Sequence, residues 1–523
     1  MICVILKVLC LLVLTNTSSG ISSPESTSYV AGVVEYQVDQ GLTTDELYWT
    51  SDQMFQFNTE KYIAILHSVE ATNVDILVFP ENTLNRQATA VIIPKENEFD
   101  LDLCTNTTYN DNLRNIACAA KSLRKYVVIN LTTKWQCTGN EAEQQCTDGW
   151  ELYNTNVVFN RDGVVISIYR KYNLFGELGI TRPSAIELKT FDTDFGVRFG
   201  HFVCFDLMFE SPGVKLVRDG VKNIVFPTRW YSELPFITAI QMQQNWAHVN
   251  DVNFLAAGAN LPILGTTGSG IYSGKLGTLT SIMTGDNTTK LLVHEVPKVP
   301  GDPVEPVDQI YFGSHFDDLT LYQDEFDGYA YSRINPSTSE PQIDELCSTF
   351  KEERLCCRFN TTVKYTQNES MKYEYMAVVY NGWRHFNHYT YEGVKICAIV
   401  ACENEHILSC GKRLNNSAEV SRITFVNVSI EGNFSSDASS ALTMPTSLDF
   451  NISSLPTTQF AFQETQDEFR MDLIGESSEL LAFGIFARDF RYSTKENPNG
   501  SDAVVVSSSL IFLSLICVLL QWN

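Results

Sequence analysis

The chain of 523 residues is long enough to form more than one hydrophobic core. Apolar residues make up 44% and charged residues 19% of it, which is typical of folded globular domains and excludes a disordered chain. The formal net charge of −25 at pH 7 would repel a phosphate backbone, so we expect no nucleic acid as a partner.

The first 20 residues predict a secretory signal peptide. The sequence MICVILKVLCLLVLTNTSSG is an apolar run with one lysine that ends in small residues, the pattern of a signal cleaved near Gly20. The alternative is a signal anchor, which is disfavoured because the run is short and has little flanking charge. Export places the mature chain in an oxidising compartment.

Residues 21–298 predict an α/β domain with at least six strands. Stretches rich in Val, Ile and Phe indicate strands covered on both faces. These stretches lie at 74–81, 126–130, 154–177, 196–206 and 221–228. Apolar residues at helical spacing predict helices at 58–72 and 237–253, and the sequence NRDG at 160–163 predicts a hairpin turn.

A second domain is expected after a proline-rich linker. We place the linker at 299–314, because the stretch 296–309 contains four prolines. Residues 315–492 combine short alternating strand patterns with six cysteines. This combination predicts a smaller, mostly β domain that is held by disulfides.

The C-terminal segment 493–523 predicts a glycosylphosphatidylinositol (GPI) attachment signal. Small residues precede an apolar tail that runs to the last residue, with no lysine or arginine after it. We take Asn499 as the attachment residue, with Gly500 and Ser501 as close alternatives. A tail-anchored single span is the competing interpretation. A GPI anchor would hold the protein at the extracellular face of the cell membrane.

The cysteine count predicts one unpaired thiol. Of 14 cysteines, three lie in the predicted signal peptide and tail, which leaves eleven in the mature chain. Four of these lie at 104–146 and six at 347–410, so each group can form disulfides within itself. The remaining cysteine is Cys204. A free thiol in an exported protein is a liability unless it is buried or used.

Ten N-x-S/T sequons outside the signal peptide predict glycosylation of exposed asparagines. Asn130 lies in an apolar strand and Asn499 lies at the proposed anchor, so we expect no glycan at either. The other eight are Asn106, Asn287, Asn360, Asn368, Asn415, Asn427, Asn433 and Asn451.

Three of the apolar strand patterns carry a polar residue that core packing does not require. Glu81 ends ILVFPE, Lys171 lies in ISIYRKYNLFGE, and Cys204 lies in HFVCFD. Each has an ordinary explanation when taken singly, since a glutamate can leave a strand for solvent, a lysine can extend to the surface and a free cysteine can fill a core. A buried carboxylate or ammonium is costly unless it is paired.

The motifs around these residues resemble the nitrilase (carbon–nitrogen hydrolase) superfamily and, within it, the branch of vanins and biotinidase. The resemblance spans about residues 30–490 and implies a nitrilase-type α-β-β-α sandwich followed by the vanin-type C-terminal domain. The motifs that carry it are FPE, YRKYNLFGE, CFDLMFESPGV, IVFPTRW, NFLAAGAN, TGSGIY, LCCRF and KICAIVAC.

The resemblance implies a catalytic triad on three positions of this sequence. Glu81 matches the general base, Lys171 matches the lysine that stabilises an oxyanion, and Cys204 matches the nucleophile. In such a reaction the sulfur attacks an amide carbonyl, and water then hydrolyses the thioester. We expect the backbone N–H of Phe205 to donate a second hydrogen bond to the oxyanion.

The resemblance also limits the substrate to a small-molecule amide. The branch acts on pantetheine, which gives pantothenate and cysteamine, or on biotinyl amides, and the predicted GPI anchor favours pantetheine. The alternative is that the protein is not an enzyme and is a surface glycoprotein that has kept the fold without the catalytic activity.

We expect no cofactor and no metal. His385 and His388 have no Cys, Asp or Glu set at zinc-ligand spacing beside them. His201 is three residues from Cys204 and on a strand would face the opposite side, which disfavours a cysteine–histidine protease.

Overall fold

The computed structural model describes residues 21–38, 49–137, 146, 149–303, 310–365, 373–386, 390–413, 423–435, 437, 439–465 and 468–494. The predicted signal peptide and anchor residues lie outside this set, as do Asn368, Asn415 and His388. No helix in the described part is long and apolar enough to cross a membrane.

Two sheets stacked face to face make up the first domain. One layer has the strand order β13-β1-β2-β3-β4-β5, and the other has the order β6-β7-β8-β10-β11-β12-β14. The two layers are continuous at one corner, where the end of β1 pairs in parallel with β10. The strands in chain order are β1 (Ser28–Gln37), β2 (Ile76–Val78), β3 (Tyr126–Gln136), β4 (Trp150–Phe159), β5 (Val165–Arg170), β6 (Thr190–Asp192), β7 (Arg198–His201), β8 (Asn223–Thr228), β9 (Glu233–Leu234), β10 (Asn253–Asn260), β11 (Ser269–Ser273), β12 (Gly277–Thr284), β13 (Lys290–Pro297) and β14 (Ile310–Ser314).

Helices cover the outer face of each sheet. They are α1 (Ser51–Leu66), α2 (Asp111–Leu123), α3 (Lys215–Arg218) and α4 (Ala239–Asn250). The first two pack against the first sheet, where Tyr62 and Ile116 are buried, and α4 packs against the second sheet through Trp246. A separate apolar cluster that includes Val33 and Val225 fills the space between the sheets. The predicted α-β-β-α sandwich is confirmed.

Helix α1 begins earlier than the apolar spacing predicted. The prediction placed a helix at 58–72, whereas the structure has it at Ser51–Leu66. Thr50 caps it: its side chain accepts the Gln53 N–H, and the Gln53 side chain accepts the Thr50 N–H. This reciprocal capping satisfies N–H groups of the first turn, so it starts the helix before the apolar face becomes regular.

The second domain consists of two five-stranded antiparallel sheets with orders β16-β19-β20-β25-β22 and β17-β18-β21-β24-β23. The predicted smaller, mostly β domain is confirmed. Its strands, with β15 before them, are β15 (Tyr322–Gln323), β16 (Ala330–Arg333), β17 (Gln342–Phe350), β18 (Glu353–Tyr365), β19 (Glu374–Phe386), β20 (Thr390–Cys402), β21 (Ile423–Gly432), β22 (Ala441–Asp449), β23 (Phe460–Glu464), β24 (Phe469–Leu473) and β25 (Leu480–Thr494).

Each disulfide among the described residues lies within one of the two predicted cysteine groups. Among the described residues Cys204 is the free cysteine, and it is buried. The inference of one leftover thiol from the odd cysteine count is therefore confirmed. The pairs are Cys104–Cys118, Cys137–Cys146, Cys347–Cys356, Cys357–Cys397 and Cys402–Cys410.

The two domains share an extensive polar and apolar boundary. Strand β14 lies within the predicted linker range, yet it pairs in parallel with β12 of the first domain. Strand β15 then pairs with β9, and the buried Arg488 of β25 donates to the Met208 carbonyl at 3.0 Å. The second domain is thereby held against the part of the first domain that carries Cys204.

The sequon asparagines differ in exposure. Asn130 is buried, and its amide nitrogen donates to both Asn154 and Asn156 at 2.7 and 3.0 Å. Both of its N–H groups are thus used, which fits the expectation that it carries no glycan. Asn287, Asn433 and Asn451 are exposed, whereas Asn106, Asn360 and Asn427 are half-buried.

Candidate active site

Cys204 lies in a tight turn and not in a strand. The predicted strand at 196–206 is wrong in its second half, because β7 ends at His201 and a 3₁₀ turn spans Cys204–Met208. The backbone φ of Cys204 is +47°, in the left-handed region that a non-glycine residue adopts only at a cost. Such strained positions concentrate at functional sites.

The buried Asp206 holds this turn in place. Its carboxylate accepts hydrogen bonds from the Tyr169 hydroxyl at 2.7 Å, the Asn173 N–H at 2.9 Å and the Val203 N–H at 3.1 Å. Burial raises the pKa of Asp206 to about 6, against the opposing effect of these donors and of Lys171. The apolar composition of residues 196–206 predicted a strand, whereas the Asp206 side chain stabilises a turn at this place.

Glu81 and Lys171 form a buried ion pair. Glu81 follows the short strand β2 and Lys171 follows β5, and they are 3% and 1% exposed. The Lys171 Nζ is 2.8 Å from the Glu81 Oε1 and 2.5 Å from the Glu177 Oε1. Burial alone would lower the pKa of Lys171, but the carboxylates of Glu177 and Glu81 raise it well above its ordinary value. Lys171 is therefore a fixed cation.

Sequence reasoning missed two supports of this pair. The first is Glu177, the sixth residue after Lys171, which forms a second ion pair with it. The signal for it was the buried ammonium itself, since a buried charge has to be compensated and hydrogen-bonded. Asn154 of β4 donates to the Glu81 Oε1 at 2.8 Å, and Asn130 accepts the Asn82 N–H at 2.9 Å. Asparagines within apolar strands were the signal for this second network.

The backbone of Arg229 connects Glu81 with Cys204. Its N–H donates to the Glu81 Oε2 at 2.8 Å, and its carbonyl accepts from the Cys204 Sγ at 3.6 Å. Burial raises the pKa of the Cys204 thiol, the negative charge of Glu81 raises it further, and Lys171 opposes both. The resting thiol is thus neutral and needs a base before it can act as a nucleophile.

The histidines near the site have other roles. The buried His201 lies 2.8 Å from the Ser167 hydroxyl, and burial together with the positive charge of Lys189 lowers its pKa to about 3. It therefore stays neutral. His385 stacks on Tyr391.

One described group has the spacing of metal ligands, Glu345 with Cys347 and Cys356, but these two cysteines form a disulfide and offer no thiolate.

A small pocket opens beside Cys204. Most of its wall is aromatic or aliphatic, and Phe386 of β19 brings the second domain into it. The Phe205 ring lies 4.9 Å from Phe175 and 5.7 Å from Phe386, measured between ring centroids. The lining residues are Phe175, Cys204, Phe205, Met208, Arg229, Trp230, Tyr231, Glu233, Ile237 and Phe386.

Both domains match known families. Residues 36–256 match the carbon–nitrogen hydrolase family, and residues 319–493 match the Vanin C-terminal domain. Vanin-like protein 1 of Drosophila melanogaster is 35% identical over 88% of this chain and 86% of its own length. Biotinidase of Takifugu rubripes is 30% identical over 78% and 85%, and human pantetheine hydrolase VNN2 is 28% identical over 78% and 75%. The chain therefore belongs to the vanin and biotinidase family of carbon–nitrogen hydrolases.

Proposed function

We propose that the protein hydrolyses a linear carboxamide through a thioester on Cys204 and that its substrate is pantetheine. The observation that carries the proposal is a buried Glu81–Lys171 ion pair whose charges act on the Cys204 thiol, together with the strained turn that places Cys204 in the pocket wall. Glu81 is the base, Lys171 stabilises the oxyanion, and Cys204 is the nucleophile.

The first step transfers the thiol proton to Glu81 as the sulfur attacks the amide carbon. Burial keeps the resting thiol protonated, so no free thiolate waits in the site. The backbone carbonyl and N–H of Arg229 form hydrogen bonds to the Cys204 thiol and the Glu81 carboxylate, and these bonds fix the relative position of the two side chains. Attack and proton transfer are therefore coupled to substrate binding, which also protects the thiol from oxidation when the site is empty.

The tetrahedral oxyanion is stabilised by Lys171 and by the backbone N–H of Phe205. An ammonium has three N–H donors. Two of the Lys171 donors bond to Glu81 and Glu177, and the third bonds to no described residue. A fixed cation with one unused donor fits the charge that develops on the carbonyl oxygen.

Collapse of the tetrahedral intermediate breaks the carbon–nitrogen bond. Glu81 returns its proton to the departing amine, so the acyl group stays on the Cys204 sulfur. Water then loses a proton to Glu81 and attacks the thioester. The carbon–sulfur bond breaks, the acid is released, and Glu81 returns the proton to the Cys204 sulfur.

Pantetheine is proposed on the basis of similarity and of the sequence tail. A human relative bears the name pantetheine hydrolase, whereas other relatives of similar identity are biotinidases. The apolar C-terminal tail after Ser501 favours a membrane-anchored enzyme, and the predicted anchor in turn favours pantetheine as the substrate. We propose export through the signal peptide, GPI attachment at Asn499 and glycans on the eight sequons named above, three of which are exposed in the described part.

Purified mature protein should release cysteamine from pantetheine faster than it releases the amine from a biotinyl amide. Free cysteamine is measured with a primary-amine reagent, because pantetheine carries the same thiol but no amine, and free biotin is separated from its amide by chromatography. Cys204→Ala should fold, as judged by its thermal unfolding, and release neither product. Faster biotin release would assign the biotinidase activity, and no release by the wild type from either amide would leave the non-catalytic glycoprotein.

Lys171→Met should lower kcat/KM by roughly 10²–10³-fold, because the oxyanion loses its charged donor while the methionine stem retains the packing. The control is Lys215→Met, which alters a lysine of α3 whose side chain is 46% exposed. A loss of only two- or threefold in Lys171→Met would show that Lys171 does not contact the reacting oxygen.

Phosphatidylinositol-specific phospholipase C should release the protein from the surface of intact cells, because cleavage leaves the lipid of a GPI anchor in the bilayer and separates the protein from it. The measurement is immunoblotting of medium and cell pellet before and after treatment. Full retention in the pellet would favour the tail-anchored span.

A further inference from the structure

The pocket beside Cys204 contains two charged residues in an otherwise apolar wall. They are Arg229 and Glu233, which follow β8 closely in the chain. Small-molecule pockets are typically apolar with a few polar groups that fix the orientation of the ligand and give specificity. Arg229 and Glu233 are therefore the residues of this pocket that can orient a substrate by polar contacts.

Glu233 is fixed through one of its two oxygens. Its Oε2 accepts from the Arg384 Nη2 at 2.7 Å, and Arg384 lies on β19 of the second domain. The Arg384 Nη1 pairs with Asp324 at 3.1 Å, so Arg384 is held between two carboxylates. Burial raises the pKa of Glu233, and the positive charge of Arg384 opposes this. The Glu233 Oε1 accepts no hydrogen bond from a described residue.

Arg229 has a side chain without a partner among the described residues. Its Nε is buried with no hydrogen bond, and no described carboxylate forms an ion pair with it. Burial lowers the pKa of Arg86, and the nearby positive charge of Arg229 lowers it further. A half-buried guanidinium close to another cation is unfavourable until an acceptor reaches it.

A neutral amide satisfies both groups at once. Its carbonyl oxygen accepts from a guanidinium, and its N–H donates to a carboxylate, so neither a net charge nor a further desolvated ion is added. We propose that Arg229 and Glu233 bind a second amide group of the substrate, distinct from the amide that is cleaved. This inference rests on the proposed function and narrows the substrate class to molecules with two amide groups.

Arg384 is a positioning residue in this account. It touches no substrate, and it holds the Glu233 carboxylate from the second domain while Phe386, two residues further along β19, closes the pocket wall. The second domain thereby contributes to substrate choice.

The test compares two fluorogenic aminomethylcoumarin amides of equal acyl chain length on the full mature protein. One carries N-acetyl-β-alanine and the other hexanoic acid, so they differ only in the internal amide. The wild type should prefer the first by roughly 10- to 100-fold in kcat/KM, because an alkyl chain offers no hydrogen bond to the Arg229 guanidinium or to the Glu233 Oε1.

The same ratio is then measured on Arg229→Met and Glu233→Gln, with Arg198→Met as a matched control at an exposed arginine. In the first two variants the preference should fall toward one, with the loss mainly in KM, and the control should keep it. Both substrates are measured on one preparation, so the ratio does not depend on the fraction of folded protein.

Three results would overturn the inference. They are an equal rate of the wild type on both amides, an undiminished preference in both Arg229→Met and Glu233→Gln, and loss of the preference in Arg198→Met. The first two leave the amidase function standing. If the wild type cleaved neither these amides nor pantetheine, the proposed function itself would fall, and the inference with it.

Discussion

The site depends on one buried ammonium held between two carboxylates. Lys171 is 1% exposed and lies within 2.8 Å of oxygens of both Glu81 and Glu177. Removing the Lys171 ammonium would leave two carboxylates without their shared cation in a low-dielectric interior, at a cost of about 3–5 kcal/mol. The same constraint fixes the proposed base beside the proposed nucleophile, because Glu81 is bound by Lys171, by Asn154 and by the backbone N–H of Arg229.

The fold brings these groups together because its two sheets end at the same edge. Glu81 and Lys171 follow strands of the first sheet, while Cys204 and Arg229 follow strands of the second. The second domain completes the arrangement: Phe386 forms part of the pocket wall and Arg384 holds Glu233. In this account catalysis belongs to the first domain, and selection of the substrate involves both.

Strand composition and cysteine parity predicted an α/β first domain, the disulfide groups and the free thiol, because these are local or countable features. The sandwich was predicted by the resemblance to the nitrilase superfamily. It did not predict the turn at Cys204, since the deciding group is the Asp206 side chain, whose bonds to Tyr169 and Asn173 appear only after folding. Arg384 lies 151 residues from Glu233, so no spacing rule could have paired them.

The central claim is that an acyl group forms a thioester on Cys204. Protein quenched with acid during turnover of pantetheine and digested should yield a Cys204 peptide heavier by the pantothenoyl group, and neutral hydroxylamine should remove this mass. The Glu81–Arg229–Cys204 contacts predict that result. Continued turnover with the acyl group on another residue would contradict the account.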